Sequence, residues 1–131
     1  MPNLSELQHR VGRRGCALLF FALLDLIYAA SLLSAPTSGP YRFLAAILPL
    51  AAWASLWAAV GLLCLLQAFM RADRAAFAAA ALIKVIWGMV QLTGWLIADL
   101  YRGYVGAILW LALAAFVLVI SGWPEPPRRG R

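Results

Sequence analysis

Four long apolar segments separated by short joints are the feature of this sequence that most restricts its fold. The segments cover residues 16–34, 43–70, 75–98 and 104–123, with boundaries placed to within a few residues. An α-helix needs about 20 apolar residues to cross a hydrocarbon core about 30 Å thick, and each segment is about that long or longer. The pattern therefore predicts an all-α integral membrane protein with four transmembrane helices.

The composition agrees with a chain that lies mostly in lipid. Hydrophobic residues make up 65% of the 131 residues and charged residues 12%, whereas soluble domains contain about 25% charged residues. Four spans occupy most of this length, which leaves no room for a soluble catalytic domain. We find no catalytic, nucleotide-binding or cofactor-binding motif, so we expect a protein that is not an enzyme and carries no cofactor.

The short joints predict that consecutive helices are antiparallel neighbours, in an up-down-up-down four-helix bundle. Arginines are distributed unequally between the two ends of this bundle, and only Arg42 and Arg102 lie at one of them. The other end carries Arg10, Arg13, Arg14, Arg71, Arg74, Arg128, Arg129 and Arg131. Because cytoplasmic loops hold the excess of basic residues, we expect both termini in the cytoplasm and the protein in a bacterial cytoplasmic membrane.

The net charge of +6 follows from these arginines. A basic residue near a membrane surface gains about 1 kcal/mol from anionic lipids, so we expect the arginines of the cytoplasmic end to contact lipid headgroups. No basic groove with stacking aromatic side chains accompanies the charge, and nucleic acid is therefore not an expected partner.

Two terminal segments flank the bundle. Apolar residues recur at helical spacing in residues 1–15, which predicts a short amphipathic segment on the cytoplasmic membrane surface. Residues 124–131 form a cytoplasmic tail rich in proline and arginine. A competing interpretation makes residues 1 to 34 a cleaved signal peptide, but the apolar segment is long for that purpose and Asp25 interrupts it.

The second span is longer than a bilayer requires. Pro49, near its start, lacks the amide hydrogen that a helix interior needs. We therefore predict one helix over residues 43–70 that bends near Pro49 or tilts in the membrane.

Asp25 and Lys84 are ionisable residues inside predicted spans, and they lie at matching depth. Each is nine residues into a helix that leaves the cytoplasm, or about 13 to 14 Å at 1.5 Å per residue. A lone charge at that depth costs about 2.5 to 3.5 kcal/mol, so the two should turn inward and pair. Tyr28, one turn beyond Asp25, is placed to complete the site. A structural clamp and a proton or ion relay are both consistent with this pattern, and the clamp is favoured.

The inward face of the third helix continues from Lys84 with polar and aromatic side chains and with glycines that let a neighbouring helix approach. The supporting residues of this face are Trp87, Gln91 and Trp95. Small residues recur at four-residue spacing at Ala72, Ala76 and Ala80, which is typical of close helix contact. The pattern favours packing over a ligand slot, and it predicts assembly with copies of the chain or with other membrane proteins.

The cysteines and the single histidine do not indicate a metal site. Cys16 and Cys64 both lie in or beside the cytoplasmic half of a span, which excludes a disulfide framework on the outer side. His9 has no acidic residue, cysteine or second histidine at ligand spacing, so no metal is expected.

Four short stretches carry a family resemblance. They are Tyr41-Arg42-Phe43-Leu44-Ala45-Ala46, Asp73-Arg74-Ala75-Ala76-Phe77-Ala78, Trp87-Gly88 followed by Gly94-Trp95, and Gly122-Trp123-Pro124-Glu125-Pro126-Pro127. Together they make the chain similar to small four-span membrane proteins of actinobacteria and actinobacteriophages. Such proteins are described only as membrane proteins, so the resemblance implies a location and no activity.

Three classes of function are consistent with these observations. The first is a non-enzymatic membrane protein that assembles through small-residue helix faces. The second is a holin-like protein that forms membrane lesions in a phage lysis system. The third is a small proton-coupled exporter, because Asp25 matches the membrane-buried carboxylate in the first helix of four-span multidrug transporters. Lys84 departs from that pattern, since it supplies an internal cation.

Overall fold

The computed structural model describes residues 3–35 and 40–124, in which α-helices are connected by turns and no strand occurs. In chain order they are α1 (Leu4–Leu33), α2 (Pro40–Ile47), α3 (Leu50–Gln67), α4 (Arg74–Ile97) and α5 (Gly103–Ser121). Four segments are long and apolar enough to cross a membrane: Val11–Leu33 of α1, and the whole of α3, α4 and α5. The predicted all-α class and the four membrane-spanning candidates are confirmed. Most of the predicted tail and the centre of the first joint lie outside the described residues.

Helix α1 begins well before the predicted first span. Its regular geometry breaks at Gly12, where the backbone has φ 73° and ψ 177°. This left-handed φ is one that glycine adopts without the steric cost of a side chain. The break separates the amphipathic start of α1 from the apolar part, so the boundary lies near residue 12 rather than at residue 15.

The predicted continuous second span is wrong, because two helices replace it. Helix α2 ends at Ile47, α3 begins at Leu50, and Pro49 between them has the extended backbone φ −53° and ψ 143°. Proline cannot donate a backbone hydrogen bond, and it disfavours helical geometry in the residue before it. The amides of Ala52 and Trp53 instead bond to the Pro49 carbonyl at 2.9 and 3.1 Å and start a new helix.

Two tight turns connect the remaining helices. Gln67 Oε1 accepts a 2.8 Å hydrogen bond from the Ala76 amide, which ties the end of α3 to the first turn of α4. In the turn between α4 and α5, Asp99 and Arg102 both adopt a left-handed φ, of 50° and 54°. Both turns coincide with joints that the sequence predicts.

The core lies between two helix pairs. Helix α1 packs mainly on α3 and α4 mainly on α5, with additional contact between α3 and α4. Large apolar side chains such as Leu23 (61% exposed), Leu96 (65%) and Leu118 (56%) point outward from the bundle. Soluble proteins rarely expose apolar surface on this scale, whereas a lipid bilayer accommodates it.

Candidate functional site

Asp25 of α1 and Lys84 of α4 form an ion pair in the interior. Lys84 Nζ donates a hydrogen bond to Asp25 Oδ1 at 2.8 Å, and neither side chain has any exposed surface. Nζ also lies 3.4 Å from Ala80 O and 5.4 Å from the ring centres of Phe21 and Trp57. The structure thus brings together the two charges that the sequence pairs by depth, and it encloses the ammonium group in carbonyl, carboxylate and aromatic surface.

Two buried polar atoms beside this pair have no hydrogen-bond partner within the described residues. They are Asp25 Oδ2 and Trp57 Nε1. The carboxylate is therefore satisfied on one oxygen only, and an unsatisfied buried polar atom costs about 1 to 3 kcal/mol. This is the one feature of the pair that a purely structural role leaves unexplained.

A cluster of aromatic rings covers the pair on one side, and we refer to it as the aromatic cluster. Its members are Tyr28, Trp53, Trp57, Trp87 and Trp110. Trp87 Nε1 donates to the Tyr28 hydroxyl at 2.8 Å, as expected of an indole buried beside a phenol. Ring centres lie 4.7 Å apart for Tyr28 and Trp57, and 5.1 Å apart for Trp57 and Trp110.

Trp53, Trp57 and Trp110 belong to the aromatic cluster and are not among the site residues that the sequence predicts. Trp110 is the hardest of the three to identify. It stands alone among the apolar residues of α5, so helical periodicity gives no reason to single it out. Alignment of α5 with α3 identifies Trp110, because residues 107–112 (AILWLA) and residues 54–59 (ASLWAA) carry tryptophan at the same position.

Arg14 forms a second ion pair where three helix ends meet. Its Nε and NH2 groups donate to the two carboxylate oxygens of Asp73 at 2.8 and 2.7 Å, and NH1 donates to Ser121 O and Trp123 O. The guanidinium also lies 5.0 Å from the ring centre of Phe77. A carboxylate at the start of α4 thus occupies the fork-shaped donor set of Arg14. The headgroup contact of Arg14 stays a prediction.

The other predicted headgroup residues lie as follows. Arg13, Arg71 and Arg74 are exposed at the same end of the bundle as Arg14. The backbone of Arg10 belongs to α1. Arg128, Arg129 and Arg131 lie outside the described residues. The headgroup contacts of these arginines remain predictions.

The supporting face of α4 is only partly assembled around the charge pair. Trp87 belongs to the site, and Gln91 lies against Gly106 of α5, where a methyl group would collide with Gln91 Oε1. Trp95 is 43% exposed and stacks on Tyr104 with ring centres 5.3 Å apart. The expectation that Trp95 faces inward is wrong, because α4 ends at Ile97 and leaves one side of the ring uncovered.

The row of small residues on α4 lies inside the molecule. Ala76 and Ala80 are fully buried, and Cys64 Sγ of α3 lies 3.8 Å from Ala76 O, while Ala72 is exposed. This row therefore serves the close helix contact that its spacing predicts, within one chain. Neither Cys64 nor the half-buried Cys16 forms a disulfide.

No protein family model, curated protein or solved structure matches this chain. Residues 3–35 and 40–124 contain no group of three or more His, Cys, Asp or Glu residues suited to hold a metal ion. What the described residues do provide is a buried carboxylate and ammonium in contact, packed beneath aromatic rings. That arrangement fixes two helices to each other, and it contains one carboxylate oxygen able to accept a further proton or hydrogen bond.

Proposed function

We propose that this chain is a non-enzymatic multi-pass protein of a bacterial cytoplasmic membrane, which assembles with copies of itself or with other membrane proteins. In this proposal, Asp25 and Lys84 form a structural clamp between α1 and α4. The observation that carries it is the enclosure of the Lys84 ammonium by Asp25 Oδ1, Ala80 O and two rings. A charge enclosed in this way is stable only while its partner is present.

The up-down-up-down order and the cytoplasmic termini belong to the same proposal. Arg14 and Asp73, Asp25 and Lys84, and Tyr28 and Trp87 are hydrogen-bonded pairs whose members are each 59 residues apart. A constant spacing supports two helices that run in the same direction at the same depth, as alternate helices of such a bundle do. The exposed arginines beside the Arg14 ion pair support a cytoplasmic location for that end.

The outward face of α3 is the surface that best supports assembly. Ala51, Ser55 and Ala59 are exposed there at four-residue spacing. Small residues at this spacing let a second helix approach closely, and close approach drives helix association in membranes. The buried row at Ala76 and Ala80 is used within the chain, so α3 replaces α4 as the proposed assembly face.

Self-association in membranes tests this face. We expect Ala59→Leu to lower energy transfer between two differently labelled copies at least threefold, because the added side chain holds the second helix away. Ala112→Leu makes the same change at an exposed position of α5 and serves as the matched control. Equal energy transfer in both variants and in the native chain would rule out the α3 face.

A proton-coupled exporter is the second candidate, and the observation that favours it is the buried Asp25 Oδ2 without a hydrogen-bond partner. A carboxylate used for proton exchange needs such an available oxygen. Asp25→Asn distinguishes the two candidates. A clamp variant should be less abundant in the membrane, whereas an exporter variant should keep its abundance and lose toxic-cation resistance. Resistance measured at matched protein level decides between them.

A lytic, holin-like role has less support. Outward positions on α3 and α5, such as Leu62 and Leu118, carry apolar side chains suited to lipid rather than to a water-filled lesion. Induced expression followed by entry of an impermeant dye tests this role directly. If the chain is a non-lytic assembly protein, cells that express it should exclude the dye. Rapid dye entry would overturn this proposal.

A further inference from the structure

The first and third membrane spans repeat each other in sequence. Residues 22–28 read ALLDLIY and residues 81–87 read ALIKVIW, with corresponding positions 59 residues apart. Alanine, leucine and isoleucine are retained, and three further positions exchange similar residues, such as Tyr28 for Trp87. The exception is the exchange of Asp25 for Lys84, which reverses the charge.

Buried residues of α1 correspond to buried residues of α4 at the same spacing of 59 residues. Five of the six buried positions in residues 16–33 have buried counterparts in α4. These pairs are Leu18 and Phe77, Phe21 and Ala80, Ala22 and Ala81, Asp25 and Lys84, and Ala29 and Gly88. The two helices thus present the same face to the interior of the molecule.

The second and fourth spans repeat each other as well. Residues 54–59 of α3 read ASLWAA and residues 107–112 of α5 read AILWLA, at a spacing of 53 residues. This spacing is six residues shorter than the one between α1 and α4, and the first connection, which contains α2, is the longer of the two. The chain therefore contains two similar helical hairpins, residues 11–67 and residues 73–121, which we call the first and second hairpin.

Four contacts between the hairpins join corresponding positions. The charge pair joins Asp25 to Lys84, and the ring contact at 5.1 Å joins Trp57 to Trp110. The hydrogen bond between Tyr28 and Trp87 and the ion pair between Arg14 and Asp73 follow the same rule. In a two-fold symmetric dimer, residues near the axis meet their own counterparts. Contacts of this kind are what an approximate two-fold axis between α1 and α4 would produce.

We infer that this chain is a fused dimer of two equivalent hairpins, and that its two ion pairs are the specificity element that joins unlike hairpins. Two first hairpins in contact would place Asp25 against Asp25 and Arg14 against Arg14. Two second hairpins would oppose Lys84 to Lys84 and Asp73 to Asp73. Like charges buried together reject both arrangements, and opposite charges favour the mixed one.

This inference rests on the clamp proposed above and adds that the hairpins are interchangeable units. It predicts rescue between chains. Asp25→Lys leaves two ammonium groups facing each other in one chain, and Lys84→Asp leaves two carboxylates. When both full-length variants are present, the first hairpin of each chain can pair with the second hairpin of the other. Such an exchange of elements between copies is a low-cost route to a dimer.

Co-expression of the two variants with different affinity tags tests the inference. Each variant alone should give at least fivefold less folded protein than the native chain, measured as the monodisperse fraction in mild detergent. Together they should recover at least half of the native yield, as a particle of twice the monomer mass that carries both tags. The control is a pair of chains that are native at residues 25 and 84 and carry the same two tags. All chains in the experiment also carry Ala59→Leu, which removes association through the α3 face, so the control chains should stay separate.

The double variant Asp25→Lys/Lys84→Asp separates failure of the clamp from failure of the duplication. If this variant folds in one chain but co-expression rescues nothing, the hairpins are not interchangeable and the inference is overturned. If the double variant is no better than either single variant, direct pairing itself is wrong, and the inference falls with the clamp. If either single variant alone gave the native yield of folded protein, direct pairing would again be wrong and the inference would fall with it.

Discussion

At the level of single residues, the effect of Asp25 and Lys84 on protein stability depends on whether each buried charge has its partner. Removing one member of a buried ion pair costs about 3 to 5 kcal/mol, whereas replacing both by apolar residues of similar volume is often neutral or stabilising. Asp25 and Lys84 are both fully buried and bonded to each other, so this asymmetry applies to them directly.

We therefore predict that Lys84→Met destabilises the protein strongly and that Asp25→Leu/Lys84→Met does so much less. The single variant leaves a carboxylate without a counter-charge in an apolar interior, and the double variant removes both charges. Thermal unfolding in detergent, followed by the fluorescence of the aromatic cluster, measures the difference. A double variant less stable than the single one would contradict the clamp.

Arg14 has a carboxylate partner that the distribution of arginines along the sequence does not reveal. The excess of basic residues at one end predicts orientation, but it does not reveal which of them has a carboxylate partner. Asp73 lies 59 residues away in the chain, so the ion pair becomes visible only when α1 and α4 are adjacent. The depth argument succeeded for Asp25 and Lys84 because a membrane interior offers so few polar partners.

Arg14→Lys should lower the free energy of unfolding by about 1.5 to 3 kcal/mol, the usual value for hydrogen bonds to a charged group. Lysine keeps the charge and loses the fork of donors that reaches both Asp73 oxygens and the end of α5. Arg13→Lys changes an exposed neighbour and should have an effect below about 0.5 kcal/mol. Equal effects in the two variants would show that Arg14 acts through charge alone.

At the level of helices, the sequence predicted where apolar segments lie more reliably than where helices begin and end. Length and hydropathy identify the four spans because bilayer thickness sets their minimum length. They do not show that Pro49 divides one apolar segment into two helices or that Gly12 breaks α1. Those features depend on local backbone geometry, which hydropathy does not encode.

The turn between α4 and α5 depends on a glycine at its end. A Cβ atom at Gly103 would lie 2.7 Å from the Gln91 carbonyl oxygen and 2.9 Å from Trp95 Cβ, whereas at Gly122 the nearest atom lies at 3.5 Å. Gly103→Ala should therefore destabilise the protein by about 1 to 3 kcal/mol through forced separation of α4 and α5. Gly122→Ala, the matched control, should be neutral or slightly stabilising, as judged from thermal unfolding of both variants.

For the whole molecule, the four candidate membrane spans were predictable from the sequence, and the proposed relation between the two halves was not. The sequence repeat is interrupted where α2 lengthens the first connection. It also reverses the charge at Asp25 and Lys84, which are the two ionisable residues inside the spans. Only the contacts between corresponding residues make the two hairpins evident. In the proposed up-down-up-down bundle, the connections within the two hairpins lie at one membrane face and the link between the hairpins lies at the other.

Single cysteines test that arrangement in a variant that lacks Cys16 and Cys64. Ala72→Cys lies in the exposed link between the hairpins, and Tyr101→Cys lies in the exposed turn within the second hairpin. We expect an impermeant thiol reagent to label Tyr101→Cys in intact spheroplasts and Ala72→Cys only in inverted vesicles, because an odd number of spans, α4 alone, separates the two positions. Labelling of both positions from one side would contradict a membrane-crossing α4. Labelling of each from the opposite side would place the termini outside, and the arginine asymmetry would then require another explanation.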